Sequence, residues 1–283
     1  MRILKTILNI ILSFLLIIVI AMSFAINILG NKILNKNYFS SKLEETEFYL
    51  QVSREVENGF ENYIYQSGLP EDTIKNLFTE EDIKKDVNSI VNKLYDGTDI
   101  TLSSENVKEN LDNKINEYLE KEDMKMNNQG KENIKKFEDL IVKEYTKNVN
   151  ASNTLYSKGH EGIETLNRIY NKVGNIPIIA IIILLVLLIL INIKDLLNGI
   201  NYVGISLLSL GVLIKLAINL INSNINIDDL LVLTTSISNL IINIINDILF
   251  ELSEKSNICI VAGITAIIIT AILKNINFTK QEK

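Results

Sequence analysis

The run from Ile178 to Ile191 contains no polar side chain. A helix satisfies its own backbone, so such a run can cross a bilayer where irregular chain or an open sheet edge could not. It lies in the middle of the chain, where no N-terminal targeting peptide sits. The sequence therefore reads as an integral membrane protein. Averages over the 283 residues, 47% apolar and 22% charged, conceal a sharp segregation. Residues 31–175 hold 20 Lys/Arg and 27 Asp/Glu, while the rest of the chain holds 8 and 7. An acidic, water-soluble segment is thus set among hydrophobic ones, long enough to form one domain with its own core. Its negative balance disfavours a nucleic-acid partner, which requires a positive field.

Four segments qualify as spans: Ile7 to Ile28 behind the basic start Met1-Arg-Ile-Leu-Lys5, then Ile176–Ile193, Ile200–Ile221 and Ile258–Leu273. The first competes with a secretory signal, since Ala21-Met-Ser-Phe-Ala25 resembles a cleavage site. Its apolar run exceeds the ~7–15 residues of a signal core, so an uncleaved anchor is expected. The second span, at ~1.5 Å per residue, covers close to the ~30 Å of hydrocarbon. The fourth is shorter and relies on flanks such as Lys255 and Lys274 that snorkel. Basic residues beside short loops set orientation. With the N-terminus inside, the cytoplasmic pieces carry Arg2, Lys5, Lys194, Lys274, Lys280 and Lys283. The outer loop 222–257 then carries Lys255 against Asp228, Asp229, Asp247, Glu251 and Glu254. Both termini are expected in the cytoplasm of a multi-pass plasma-membrane protein, with 31–175 outside.

Apolar periodicity makes the 31–175 segment helical. Tyr49, Val52, Val56, Phe60 and Tyr63 share one face of a helix from Ser40 to Gln66, which Ser67-Gly68 ends. Thr79 is an N-cap followed by first-turn acids, ahead of the stripe Ile83, Val87, Ile90, Val91 and Leu94, closed by Asp96-Gly97. Ser103 or Ser104 caps a third helix with Val107, Leu111, Ile115, Tyr118 and Leu119. A polar loop, Lys121 to Gly130, precedes a fourth with Ile134, Phe137, Leu140, Ile141, Tyr145 and Val149. A fifth, Glu161 to Val173, feeds the second span, with Pro177 tolerated in its opening turn. The expected layout is an anchor (1–30), an extracytoplasmic helical bundle (31–175) and a membrane domain (176–283). That last domain holds spans 176–193, 200–221 and 258–273, an outer amphipathic helix 228–254 and a short cytoplasmic tail.

Few residue patterns carry chemistry. In His160-Glu161-Gly-Ile-Glu164 the His and the second Glu would share a helix face, but a zinc site needs further imidazoles and the chain has one His. A solvated polar turn is the expected reading. Cys259, the single cysteine, sits among Ile258, Ile260 and Val261 as a lipid-facing or packed residue. No metal, cofactor or catalytic group is expected. Lys215, inside the third span, is costly there and a functional candidate whose natural partners are Asp247 and Glu251; snorkelling is the bland alternative. The 228–254 stretch has an apolar face, Ile237, Leu240, Ile241, Ile244, Ile245, Ile248 and Leu252, and a polar one. It either lies on the outer leaflet or forms a fifth span.

Abundant Ile, Asn and Lys, the layout, and the strings Gly68-Leu-Pro-Glu71, Thr79-Glu-Glu-Asp-Ile83 and Tyr95-Asp-Gly97 are similar to uncharacterised multi-span membrane proteins of clostridia-like, low-GC Gram-positive bacteria. That group has no established activity, so the resemblance implies the layout and carries over no functional residue. The sequence thus points to an all-α, polytopic, non-enzymatic membrane protein whose external domain scaffolds, senses or binds an envelope partner. Its partners would be the bilayer and other envelope proteins, and a homo-oligomer is compatible. The alternative is a transporter or channel subunit built on Lys215 with Asp247 or Glu251.

Overall fold

A computed structural model describes residues 2–149, 153–224 and 234–281, and among them there are helices and turns but no strand. The helices are α1 (Arg2–Ile28), α2 (Lys36–Glu45), α3 (Phe48–Ser67), α4 (Glu80–Asp96), α5 (Ser104–Lys121), α6 (Asn128–Val149), α7 (Asn153–Val173), α8 (Ile176–Ile191), α9 (Leu196–Asn224) and α10 (Thr235–Gln281). Four helical stretches are long and apolar enough to cross a membrane: Ile3–Ile33, Lys158–Ile191, Leu196–Ser223 and Thr235–Ile276. The chain divides into two compact units, one of residues 1–33, 167–232 and 241–283, the other of 34–166 and 233–240.

The first unit is built from α1, α8, α9 and most of α10. Asn9 meets Asn192, and Gly30 lies against the ring of Tyr170, where an added Cβ would come within 2.6 Å. Those two contacts make α8 antiparallel to α1. Between them, Leu12 and Leu16 pack on Leu184 and Leu188. Gly204 faces Gly263 and Lys215 faces Ser253, so α10 is antiparallel to α9. The four helices alternate in direction, and the start of α1, the α8–α9 connection and the end of α10 share one end of the unit.

Small residues bring α9 and α10 together. A Cβ on Gly263 would stand 2.6 Å from the Leu208 nitrogen and 2.7 Å from the Gly204 carbonyl, so backbone meets backbone. Two turns on, Ser256 Oγ donates to the Gly211 carbonyl at 2.7 Å. In hydrocarbon, where apolar burial gives little net drive, close approach and interhelical hydrogen bonds do the joining.

The amphipathic stretch and the fourth span turn out to be one helix. α10 runs unbroken for 47 residues, roughly 70 Å at the helical rise. Residues through Leu240 belong to the second unit and the remainder to the first. The opening of the expected 228–254 helix, residues 228–233, lies outside the described residues. So does Lys283.

The second unit is a bundle in which α6 packs against α3 and α5. Val56, Phe60, Leu77, Ile83, Val107, Leu111, Ile115, Ile141 and Tyr145 are wholly buried. α4 opens on the expected Thr79: its Oγ1 accepts the Asp82 amide, and Asp82 returns a carboxylate to the Thr79 amide. Gly97 closes α4 at φ 73° and Gly68 closes α3 at φ 72°, a left-handed conformation that glycine adopts without penalty. Four details differ from the sequence reading. Glu47, at φ 50°, breaks the expected first helix into α2 and α3. The polar loop is shorter, because Asn127 Oδ1 accepts the Gly130 amide and α6 begins at Asn128. Ser103 does not cap α5 with its side chain but donates to Asp86 instead. α7 begins eight residues before Glu161, placing His160 on a helix rather than in a turn.

Candidate functional site

A dense polar cluster of the first unit lies at the end opposite the start of α1 and the end of α10. Past Ile28, α1 continues as one π-helical turn, Leu29–Ile33. Wide turns of this kind are rare and occur mostly as single insertions within helices. This one carries Lys32, whose side chain is only 10% exposed. Lys32 Nζ donates to Asp247 Oδ2 at 2.7 Å and to the Asp247 carbonyl at 3.3 Å, and it lies 3.2 Å from Glu251 Oε2. Glu251 Oε1 receives Lys255 Nζ at 2.7 Å. Lys255 also donates to Asn27 Oδ1 at 2.5 Å and sits 5.4 Å above the Phe24 ring.

The pattern follows from helical spacing. Asp247, Glu251 and Lys255 recur every four residues and line one face of α10; Phe24, Asn27 and Lys32 offer a matching face of α1. Two ammonium and two carboxylate groups cancel in charge. Asp247 and Glu251 remain 30% and 27% exposed, so solvent screens them more than it screens Lys32. Both carboxylates already hold an ammonium, which suits the cluster to clamping α1 on α10.

Lys215 stands apart from this cluster. Its Nζ donates to Ser253 Oγ at 2.6 Å, and the carboxylates expected to receive it are held by Lys32 and Lys255 instead. The reason is angular. Ser253 is two residues from Glu251, about 200° around the helix, so α9 and α1 address different faces of α10. Of the expected trio, only Asp247 and Glu251 share a cluster. Lys32, Asn27 and the role of Lys255 were not anticipated. Their signal was faint: a lysine just beyond one span, and an acid–acid–base series at four-residue spacing on another.

A second polar pair is buried near the other end. Asn192 Nδ2 donates to Asn9 Oδ1 at 2.9 Å and to the Leu188 carbonyl at 2.9 Å, while Asn9 Nδ2 returns a bond of 3.2 Å to Asn192 Oδ1. Both are wholly covered, and each amide satisfies the other across α1 and α8.

In the second unit the buried polar groups bond within the bundle. Asp86 is fully buried and accepts the Ser103 amide at 2.9 Å, its hydroxyl at 2.8 Å and the Tyr145 hydroxyl at 2.8 Å. Burial, then the bond to Asp86, pushes the Tyr145 hydroxyl far above its ordinary range. Glu138 is raised by burial and by neighbouring Asp112. Burial also acts to raise Glu144, but bonds from Lys147, Asn148 and Tyr63 outweigh it and hold this carboxyl below its usual value. His160 packs on the end of α4, its Nδ1 3.0 Å from the Leu94 carbonyl and its Nε2 3.8 Å from Glu164. Among the described residues no group of three or more His, Cys, Asp or Glu side chains is placed to hold a metal ion. Cys259 is buried.

Comparison of the chain with protein-family models, with curated proteins and with solved structures finds no match.

Proposed function

We propose that this chain is a multi-pass plasma-membrane protein whose acidic helical unit stands outside the cytoplasm and binds or scaffolds another component of the cell envelope. The observation that carries this reading is the partition of the chain. An apolar four-helix unit able to span a bilayer is joined to a charged helical unit that has its own buried core. A module with its own core folds on interactions it makes itself, which leaves its solvated faces available for recognition. The alternating directions of α1, α8, α9 and α10 bring the start of α1 and the end of α10 to one end of the unit, and the basic residues Arg2, Lys5 and Lys194 at that end support a cytoplasmic location for both.

The transporter reading draws less support. Its central pairing, Lys215 with Asp247 or Glu251, is replaced by the neutral-sum clamp to Lys32 and Lys255. A charge relay needs groups that can exchange partners, whereas these four hold one another.

The test is crosslinking in intact cells followed by recovery of the full chain through a C-terminal tag. A partner recovered in stoichiometric amount, and lost when exposed residues of α5 or α6 are changed, is the expected result. Recovery of nothing but copies of the chain itself overturns the scaffold reading.

A further inference from the structure

Beside the clamp, the first unit has a notch of about 250 Å3, lined by Ser23, Ile26 and Asn27 of α1 and by Tyr170, Asn171, Gly174, Asn175 and Ile178 around the α7–α8 turn. Three features of this notch bear on what it would hold.

The first is depth. The turn Gly174-Asn175 marks the change from the polar helix α7 to the uninterrupted apolar run of α8. In a chain whose α8 crosses the bilayer, that change falls at the boundary between hydrocarbon and headgroups.

The second is chemistry. Ser23, Asn27, Tyr170, Asn171 and Asn175 supply hydroxyl and amide groups, each able to donate and accept. None carries a charge. Lys255, which bonds Asn27 Oδ1, is already shared with Glu251. The strong charge-assisted bonds to phosphate come from Arg or Lys, and the lining provides no such side chain. A ring of neutral donors and acceptors matches a hydroxyl-rich, uncharged headgroup.

The third is size and rigidity. The notch is smaller than the ~300–1,000 Å3 of sites that enclose a whole drug-sized ligand. It fits a headgroup whose acyl chains stay in the bilayer. Its walls are set: Tyr170 is pinned where Gly30 leaves space for its ring, and the Gly174 amide closes on the Tyr170 carbonyl at 2.7 Å.

We propose that the notch between α1 and the α7–α8 turn binds the neutral sugar headgroup of a membrane glycolipid, with Asn171, Asn175 and Asn27 as its hydrogen-bonding groups. This rests on the membrane reading of the first unit but not on the partner-binding reading of the second. The test embeds the full chain in lipid nanodiscs containing equal amounts of glucosyl-diacylglycerol, phosphatidylcholine and phosphatidylglycerol. Native mass spectrometry then reads which lipid the released protein retains.

The expected result is retention of glucosyl-diacylglycerol about tenfold over either phospholipid, falling about fivefold in Asn171→Ala and again in Asn175→Ala, the effect of one neutral hydrogen bond each. Both side chains are exposed, so these changes leave the fold intact. Ser23→Phe, which fills the notch from α1, abolishes the preference. Preferred retention of phosphatidylglycerol overturns the neutral-headgroup assignment. Equal retention of all three lipids, or a preference untouched by the three variants, overturns the site alone. A chain that does not enter the nanodiscs overturns the membrane reading and the site with it.

Discussion

The clamp makes a quantitative prediction that separates it from the pairing suggested by sequence. Lys32→Met removes an ammonium that lies 2.7 Å from Asp247 and 3.2 Å from Glu251. A hydrogen bond to a charged group contributes about 1.5–3 kcal/mol. Breaking a fully buried ion pair costs about 3–5 kcal/mol, because the remaining charge is stranded. Here the acids are 30% and 27% exposed and Glu251 keeps Lys255, so solvent relieves part of the penalty. The expected cost of Lys32→Met is about 2–3 kcal/mol. Adding Asp247→Leu should recover about 1 kcal/mol or more, since no unpaired carboxylate then remains at that position. Asp247→Leu alone leaves Lys32 its contact with Glu251 and should cost about 0.5 kcal/mol, so the coupling energy between Lys32 and Asp247 is about 1.5 kcal/mol. For Lys215 and Asp247, which share no bond, it should fall below about 0.5 kcal/mol. Reversible unfolding of the full chain in mixed micelles, run as two double-mutant cycles, gives both numbers. A coupling for Lys215–Asp247 as large as that for Lys32–Asp247 would refute the clamp.

Three further outcomes follow from the same reasoning. Asp86→Ala strands the Ser103 amide and the Ser103 and Tyr145 hydroxyls; the expected loss is about 3–4 kcal/mol, against about 2 kcal/mol for Tyr145→Phe, read by hydrogen exchange of α4–α6 peptides. Glu138 has a folded pKa above its unfolded one, so its ionised form costs stability at neutral pH and the cost disappears as pH falls through the raised value. Glu138→Gln should therefore stabilise the second unit at pH 7, with the gain shrinking in acid, whereas Glu144, with its depressed pKa, contributes stability that is lost on acidification and Glu144→Gln should destabilise at pH 7; thermal melts at both pH values check the two signs. Gly263→Val drives a side chain into the Leu208 nitrogen and the Gly204 carbonyl, and should weaken α9–α10 packing by several kcal/mol, about the cost of a severe overpacking, as measured in the same micellar unfolding assay.

The helices were legible because their signals are local. The stripe Tyr49, Val52, Val56 and Phe60 is buried as its spacing requires, with its last member Tyr63 covered only in part, and the Thr79 cap and the Gly68 and Gly97 stops stand where their residue types place them. Leu140, at 41% exposed, sits at the edge of its stripe and shows that periodicity finds a face but not how much of it a neighbour covers. The break at Glu47 left no trace, since a non-glycine residue at positive φ has no dedicated side-chain signature. Nor did the joining of the amphipathic stretch to the last span: the polar residues around Lys255 read as a boundary, whereas they are the side chains by which α10 meets α1.

The candidate cluster was half legible for a related reason. A charge within an apolar segment, such as Lys215, announces itself, but its partner depends on which neighbour each helix face meets. That is fixed by the close contacts at Gly204, Gly211 and Gly263, which turn Ser253 toward α9 and leave Asp247 and Glu251 for α1. Asn9 and Asn192 show the same effect, each an isolated amide in sequence and a reciprocal pair in the fold.

The most direct test of the account is sidedness. In a Cys259→Ser background, single cysteines replace Glu122, in the charged helical unit, and Lys194, between α8 and α9; both positions are exposed. Intact cells are then treated with a membrane-impermeant maleimide. The account predicts labelling at 122 in intact cells, and at 194 only after permeabilisation. Labelling at 194 from outside, with 122 protected until the membrane is opened, would contradict it.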